Sequence, residues 1–232
     1  MQKNSGICKE RFAKMKDCKV VAFDLDGTLT NPERGLVASF SYALGKMGVD
    51  YGDKQSLKQF IGPPLYDEWQ RCYGFTPEES GEALRLFREY FSVYGWWDNE
   101  LYPGVFDMLK LLKNEGKTIV LATSKPEIFA KKILNFFDIS QFFDFIGGAS
   151  TDKTRDKKWE VISYVLESIG NVNSSDVVLV GDRKYDAEGA KICGIDSLGV
   201  LYGHGSREEI LNAGFTAVAN TVSDVYAMLT SK

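Results

Sequence analysis

Five short apolar runs, rich in β-branched residues, alternate along this chain with segments of helical periodicity. The runs show no apolar/polar alternation, which is typical of strands covered on both faces. Strands separated by helices favour βαβ units and a parallel sheet. The sequence therefore predicts an α/β fold with a doubly wound (Rossmann-like) parallel sheet, whose strands are residues 20–23, 118–122, 142–146, 177–180 and 195–200.

A long helical insertion separates the first two predicted strands. About 95 residues lie between them, whereas a βαβ crossover needs only about 30. Helical spacing occurs at 36–47, and a capping box at Thr76 predicts a second helix start. We expect an α/β core domain, residues 1–32 and 99–232, and a small all-helical cap domain, residues 33–98. The aromatic side chains of the insertion are expected to fill its own small core and the seam with the main domain, and a substrate-facing role for one or two of them is the alternative.

The composition excludes several classes of protein. Lys and Arg number 28 against 32 Asp and Glu, so the chain lacks the basic surplus of a nucleic-acid polymer binder. No apolar stretch approaches the roughly 20 residues that span a bilayer, and the N-terminus lacks the apolar core of a secretory signal. The four cysteines form no C-x-x-C pair, which favours a reducing compartment. We expect a cytoplasmic protein with no membrane partner.

Two carboxylates follow the first predicted strand, in the segment DLDGTLT. Alternation along an extended chain sends Asp24 and Asp26 the same way, at the sheet edge where ligands bind in open α/β folds. Two like charges so close are costly unless a cation or a proton lies between them. Gly27 permits a tight turn, and Thr28 can hydrogen-bond across it. An ordinary Asp-Gly turn is the plainer alternative.

The fourth predicted strand also ends in carboxylates, Asp182 and Asp186 of the segment GDRKYD. The fourth strand of a doubly wound sheet commonly neighbours the first, so Asp24 and Asp182 are expected to approach one cation. Mg²⁺ prefers a few carboxylates together with water and a substrate phosphate. Alternatively, Asp182 merely caps the next helix.

Two further segments are typical of a site that binds an anion such as phosphate. Ser124-Lys125-Pro126-Glu127 has the pattern of a capping box with proline in the first turn, so Ser124 is expected to be an N-cap and Thr123 the better phosphate ligand. Lys157 and Lys158 stand at another helix start, where the helix dipole disfavours each cation by about 0.3–1 kcal/mol. A bound phosphate would explain them, whereas solvated surface lysines are the alternative.

In this order, the segments resemble the four motifs of the haloacid dehalogenase superfamily of phosphohydrolases: DLDGT, ATSKP, a lysine at a helix start and GDRKYD. The helical insertion resembles the cap of the first subclass of that superfamily. Residues 61–65 (IGPPL) and 202–209 (YGHGSREE) are similar to the phosphoglycolate phosphatase-like branch. Residues 1–14 precede the usual start of the family. His204 stands where the branch often has an aromatic residue, and we expect no catalytic role for it.

The resemblance implies catalytic roles for four residues. Asp24 would be the nucleophile that becomes an aspartyl-phosphate, and Asp26 would protonate the leaving oxygen and then activate water. Thr123 would bind the phosphoryl oxygens, and Lys158 would offset their charge. Lys158 is preferred to Lys157 because KWEVI fits the family pattern of lysine, any residue, acidic residue and two apolar residues.

The resemblance also implies a cofactor and a substrate site. Mg²⁺ would be held by Asp24, the main-chain carbonyl of Asp26 and Asp182, with Asp186 supporting the site partly through water. The remaining substrate contacts are predicted at Gly27, Thr28, Ser124 and Lys125.

These inferences predict a Mg²⁺-dependent phosphatase acting on a small phosphorylated metabolite such as phosphoglycolate or a nucleoside monophosphate, with a cap that closes over the site. A 5′-nucleotidase-type or pyrophosphatase-type hydrolase and a β-phosphoglucomutase-like phosphosugar mutase are the alternatives. A dehalogenase is disfavoured because it needs no Asp26. A phospho-signalling receiver is shorter and lacks the paired aspartates, and no G-x-G-x-x-G follows a strand. The oligomeric state is left open.

Overall fold

The computed structural model describes residues 15–62, 65–152, 154–170 and 172–230. The predictions for residues 1–14, and for the two prolines of the segment IGPPL, lie outside the described residues. The chain divides into two compact units: one runs up to Asn31 and resumes at Leu101, and the other is Pro32–Glu100.

The α/β unit is built on a parallel sheet. The described strands are β1 (Val20–Phe23), β2 (Thr30–Asn31), β3 (Glu100–Leu101), β4 (Thr118–Pro126), β5 (Phe145–Ala149), β6 (Val177–Gly181), β7 (Asp196–Val200) and β8 (Ala217–Ala219). Six of them form one sheet in the order β5-β4-β1-β6-β7-β8, with every pairing parallel. The short strands β2 and β3 pair separately. The predicted fold class is confirmed.

Helices connect the strands of this sheet. The helices are α1 (Glu33–Lys46), α2 (Leu65–Tyr73), α3 (Pro77–Tyr90), α4 (Val105–Asn114), α5 (Glu127–Phe136), α6 (Lys158–Ser168), α7 (Lys184–Ile192), α8 (Arg207–Asn212) and α9 (Val222–Leu229). None of those in the described ranges combines the length and the apolar character that crossing a membrane requires. The third predicted strand, 142–146, is wrong at its start, because a 3₁₀ turn occupies Ser140–Phe142 and β5 begins at Phe145.

One face of the sheet is covered by α6 and α7. Val20 and Ala22 of β1 are buried there, as strand alternation requires, with apolar residues of the neighbouring strands. Val161 and Val165 of α6 pack into the same cluster. This packing places the first turn of α6 close to the carboxyl ends of the central strands, where Asp24 follows β1 and Asp182 follows β6.

The unit Pro32–Glu100 is helical and has an aromatic core. It contains α1, α2 and α3, a 3₁₀ helix at Lys54–Phe60 and a π-helical turn at Phe91–Gly95. Phe40 and Phe87 stack with centroids 5.3 Å apart, and Trp69 is fully buried. The capping box at Thr76 is confirmed, because its hydroxyl accepts from the Glu79 amide. Tyr94 and Trp97 lie outside this core, because they are 54% and 47% exposed.

Candidate active site

Three carboxylates converge where β1 and β6 end. The strands pair directly, with Phe23 opposite Val180, and the Asp24 amide donates to the Val180 carbonyl at 2.9 Å. Asp24 therefore follows β1 at the same edge where Asp182 follows β6. One oxygen each from Asp24, Asp182 and Asp186 lies within 4.8 Å of the others. The expected approach of the first and fourth predicted strands thus brings their acidic residues together.

Asp182 is the most enclosed of the three. It is fully buried, and its Oδ2 accepts a hydrogen bond from the His204 amide at 2.7 Å. Burial, followed by the negative charges of Asp186 and Asp24, raises its pKa well above the usual value. Its Oδ1 has no hydrogen-bond partner among the described residues. A buried carboxylate in this situation needs a positive charge beside it.

Lys158 supplies one such charge. Its ammonium group lies 2.8 Å from Asp24 Oδ1 and 2.6 Å from Asp186 Oδ1, and its side chain is 5% exposed. Burial alone would lower the pKa of Lys158, but Asp186 and Asp24 outweigh it and raise the pKa to about 12. Lys157, by contrast, is exposed. The structure thus places Lys158 at the acidic cluster and Lys157 at the surface, and a catalytic role for Lys158 stays a prediction.

Asp186 belongs to both the cluster and its scaffold. Its Oδ2 accepts from the Arg183 amide at 3.0 Å, which caps the first turn of α7. Burial raises its pKa to about 6, although the nearby Lys158 ammonium opposes the shift. A methyl group on Gly181 would lie 2.2 Å from the Asp186 carboxyl carbon, so this glycine makes room for the carboxylate.

The donor set fits a hard divalent cation. Three carboxylates share one ammonium group, so when all three are ionised they exceed it by two negative charges inside a largely buried cluster. All the donor atoms are carboxylate oxygens, the ligands that Mg²⁺ and similar ions prefer. The unpartnered Oδ1 of Asp182 is the atom that most needs such an ion. The Asp26 side chain is outside this set, and a metal role for its main-chain carbonyl stays a prediction.

Asp26 instead pairs with Lys125. The ammonium group of Lys125 lies 2.5 Å from Asp26 Oδ2, and the lysine side chain is 6% exposed. Asp26 Oδ1 is buried and has no hydrogen-bond partner among the described residues. Lys125 was predicted to contact substrate, and the contact that the structure gives it here is with the predicted acid/base. Its substrate role stays a prediction.

The predicted capping box at Ser124 is wrong. Strand β4 continues to Pro126, and α5 begins at Glu127 with no side-chain cap. The residue before a proline is disfavoured in the helical region, so the backbone stays extended through Lys125. Ser124 is exposed, whereas Thr123 is buried and its hydroxyl oxygen accepts from the Lys125 amide at 3.2 Å. Because the Thr123 hydroxyl accepts in this bond, its own proton can be donated to an anion. Substrate contacts by Thr123 and Ser124 stay predictions.

The turn after β1 holds Gly27 and Thr28. The Gly27 amide donates to the Thr30 carbonyl at 2.8 Å, and Gly27 has a φ of 84°. Thr28 is fully buried, and its Oγ1 has no hydrogen-bond partner in the described part of the chain. The Tyr202 hydroxyl donates to the Thr28 carbonyl at 3.0 Å. The turn is therefore held both by its own main-chain hydrogen bond and by Tyr202, a residue distant in sequence.

A comparison of the sequence with known families is decisive at this point. Residues 21–200 match the family model of haloacid dehalogenase-like hydrolases, and this span includes all four predicted motifs. The chain belongs to this family.

Relatives of this hydrolase carry more specific names. It is 39% identical over 190 residues to a Pseudomonas aeruginosa protein named 5′-nucleotidase, covering 82% of this chain and 86% of the relative. It is 37% identical over 205 residues to the Mycobacterium tuberculosis protein named tyrosine-protein kinase PtkA, covering 88% and 69%. Proteins named phosphoglycolate phosphatase match at 28–29% identity.

A solved structure agrees with these relatives. A Clostridium difficile protein that carries a provisional phosphatase name is 44% identical and superposes with a TM-score of 0.85, covering 92% of this chain and 99% of that one. The predicted enzyme class, a phosphatase of the haloacid dehalogenase-like family, is confirmed.

Sequence reasoning missed the loop that encloses Asp182 in this hydrolase. A methyl group on Gly203 would lie 2.4 Å from the Asp182 Cβ, and one on Gly205 would lie 2.0 Å from the Asp182 carbonyl oxygen. Between these glycines, His204 contributes its main-chain amide to the carboxylate. The pattern Gly-His-Gly was the available signal, but it drew attention to the imidazole rather than to the backbone.

Gly27→Ala is expected to disable this site. A methyl group there would lie 2.0 Å from Asp182 Oδ2, in a left-handed conformation that costs an alanine about 1–2 kcal/mol. Gly116 has a φ of 77° with open space at the same position, so Gly116→Ala carries the backbone cost without the clash. Phosphatase assays and denaturant unfolding should show activity lost only in Gly27→Ala. Equal activity in the two variants would contradict the enclosure of Asp182.

Proposed function

We propose that this chain is a Mg²⁺-dependent phosphatase that hydrolyses small phosphomonoesters through an aspartyl-phosphate on Asp24. The observation that carries the proposal is the buried cluster in which Lys158 meets Asp24 and Asp186 beside Asp182. When ionised, the three carboxylates carry two negative charges more than Lys158 compensates, which suits a divalent ion, and the Asp24 side chain is 13% exposed to an incoming substrate.

In the first step, a carboxylate oxygen of Asp24 attacks the phosphorus atom and the bond to the leaving oxygen breaks. Because the Asp24 carboxylate is phosphorylated covalently, the hydrolysis proceeds in two steps, each easier than direct hydrolysis. Asp26 gives its proton to the leaving oxygen, for which its buried Oδ1 is the available atom. Thr123 donates its hydroxyl proton to a phosphoryl oxygen, and Lys158 offsets the developing negative charge.

In the second step, Asp26 takes a proton from water, and that water attacks the phosphorus atom of the aspartyl-phosphate. The bond between phosphorus and Asp24 breaks, which releases inorganic phosphate and restores the carboxylate. When bound, Mg²⁺ supplies positive charge for the carboxylates and the phosphoryl group. Asp24, Asp182 and the main-chain carbonyl of Asp26 would hold it, with support from Asp186.

For the leaving group we propose a nucleoside, so that the substrates are nucleoside 5′-monophosphates. The support is the relative named 5′-nucleotidase, which is more similar to this chain than the proteins named phosphoglycolate phosphatase. Phosphoglycolate, pyrophosphate and phosphosugars are the competing substrates, and a tyrosine hydroxyl is the competing acceptor suggested by the name PtkA.

A phosphate-release assay tests the proposal. The purified chain is freed of metal with EDTA and assayed with nucleoside monophosphates, phosphoglycolate, pyrophosphate and p-nitrophenyl phosphate, with and without Mg²⁺. We expect Mg²⁺-dependent release of phosphate, fastest from a nucleoside monophosphate. If phosphoglycolate or pyrophosphate is the best substrate, the nucleoside leaving group is wrong but the hydrolysis stands, whereas no Mg²⁺-dependent release of phosphate from any of these substrates would overturn the hydrolysis.

A further inference from the structure

An arginine outside the acidic cluster connects three segments of the α/β unit. Arg155 lies in the loop between β5 and α6, and its side chain is 21% exposed. Its Nε donates to the Gly148 carbonyl in β5 at 2.8 Å, and a terminal NH₂ group lies 3.2 Å from Glu127 Oε2 at the start of α5. Its guanidinium carbon lies 3.7 Å from the ring centroid of Tyr164 in α6. The proposed mechanism uses none of these contacts.

The main chain of Arg155 closes the loop that leads to α6. Its amide donates to Ser150 Oγ at 2.9 Å, and its carbonyl accepts from the Ser150 amide at 2.8 Å. Immediately afterwards, Glu160 Oε2 accepts from the amides of Asp156 and Lys157, both at 2.9 Å, which starts the helix. The next residue is Lys158, so the fixed main chain of Arg155 lies three residues before the lysine whose ammonium group is in the cluster.

The side-chain contacts of Arg155 hold the helix from a second direction. Tyr164 lies on α6 itself, so stacking on its ring ties the guanidinium to the body of the helix as well as to its first turn. Gly148 and Glu127 belong to β5 and α5, which are fixed to the sheet. The position of α6 relative to the carboxyl ends of the strands is therefore set in part by one planar group.

We propose that Arg155 is a positioning residue for the phosphatase reaction, which holds the first turn of α6 so that Lys158 reaches Asp24 and Asp186. The inference rests on the proposed function for the role of Lys158 in charge neutralisation. Lysine cannot replace Arg155, because stacking and two divergent hydrogen bonds require the planar guanidinium fork.

The activity test uses Arg155→Gln and Arg155→Lys with Arg85→Gln as the matched control. Arg85 also pairs with two carboxylates, those of Glu82 and Glu89, but lies on the exposed surface of α3. Both Arg155 variants should lower kcat for p-nitrophenyl phosphate about 10- to 100-fold, the usual effect of removing a group that orients an active residue. Arg85→Gln should leave kcat unchanged. Assays are run well below the Tm of each variant.

A double-mutant cycle distinguishes positioning from general stabilisation. If Arg155 acts through Lys158, then Arg155→Gln added to Lys158→Ala should lower kcat by less than a factor of about two, because the group it positions is already gone. Full multiplication of the two effects would overturn the inference, since it would show that Arg155 acts independently of the lysine.

A readout that needs no turnover separates this inference from the proposed function. Amine-directed acetylation followed by peptide mass spectrometry measures the accessibility of Lys158, which is buried in the native protein. Labelling of Lys158 should rise several-fold in Arg155→Gln and not in Arg85→Gln. A rise in a chain that hydrolyses no phosphomonoester would support positioning while refuting the phosphatase. Unchanged labelling with unchanged kcat in an active enzyme would refute positioning alone.

Discussion

Replacing Asp24 by Asn is expected to lower kcat by a factor on the order of 10⁴ or more, as removal of a covalent nucleophile typically does. An amide cannot form the acyl-phosphate bond, although it is nearly isosteric with the carboxylate. The substitution also removes one of two negative charges that face the Lys158 ammonium. The variant should therefore remain folded but inactive, as measured by steady-state phosphate release and by circular dichroism.

Asp138→Asn is the control for this experiment. Asp138 is an exposed aspartate whose φ of 55° an asparagine adopts readily, so the same change of atoms and charge occurs far from the chemistry. Its kcat should equal that of the native enzyme. As a second check, each protein is mixed with substrate and quenched with acid, and the phosphate bound covalently to the protein is measured. The native chain should carry phosphate, and Asp24→Asn should carry none. Turnover within tenfold of native in Asp24→Asn would exclude this residue as the nucleophile.

Lys158→Ala is expected to reduce both stability and catalysis. Its removal leaves the carboxylates of Asp24 and Asp186 in a buried site without their shared cation. Breaking a buried pair in this way costs about 3–5 kcal/mol, so the free energy of unfolding in metal-free buffer should fall by that amount. In the proposed mechanism Lys158 offsets the phosphoryl charge, so its loss should also lower kcat by a factor on the order of 10²–10³.

The neighbouring lysine gives a matched control. Lys157→Ala changes the same residue type one position earlier, at an exposed site, and should alter the free energy of unfolding by less than about 0.5 kcal/mol. Urea unfolding with EDTA and then with Mg²⁺ should show that the cation restores part of the stability of Lys158→Ala without restoring its activity. Equal effects of the two substitutions would contradict the assignment of Lys158.

The meeting of the acidic residues at one edge of the sheet could be predicted from the motifs, because carboxylates that follow adjacent parallel strands lie close together. The approach of Asp24 and Asp182 followed from strand order alone, whereas Lys158 was chosen from its place at a helix start and from the family pattern in the segment KWEVI. The start of α5 was mispredicted because the capping pattern at Ser124 was weighed above the restriction that Pro126 places on Lys125.

Other parts of the site depend on contacts between segments that are distant in sequence. The enclosure of Asp182 by the loop at Gly203 joins residues about 20 positions apart, and nothing local to either segment specifies that approach. The contacts of Arg155 with Glu127 and Tyr164 are of the same kind. Their residue types are ordinary surface residues, and only the folded chain shows that they converge.

The acidic cluster with Lys158, and the separate pair of Asp26 and Lys125, come from the unit that runs up to Asn31 and resumes at Leu101. Substitutions anywhere in residues 32–100 therefore leave every side chain of this cluster and of this pair in place.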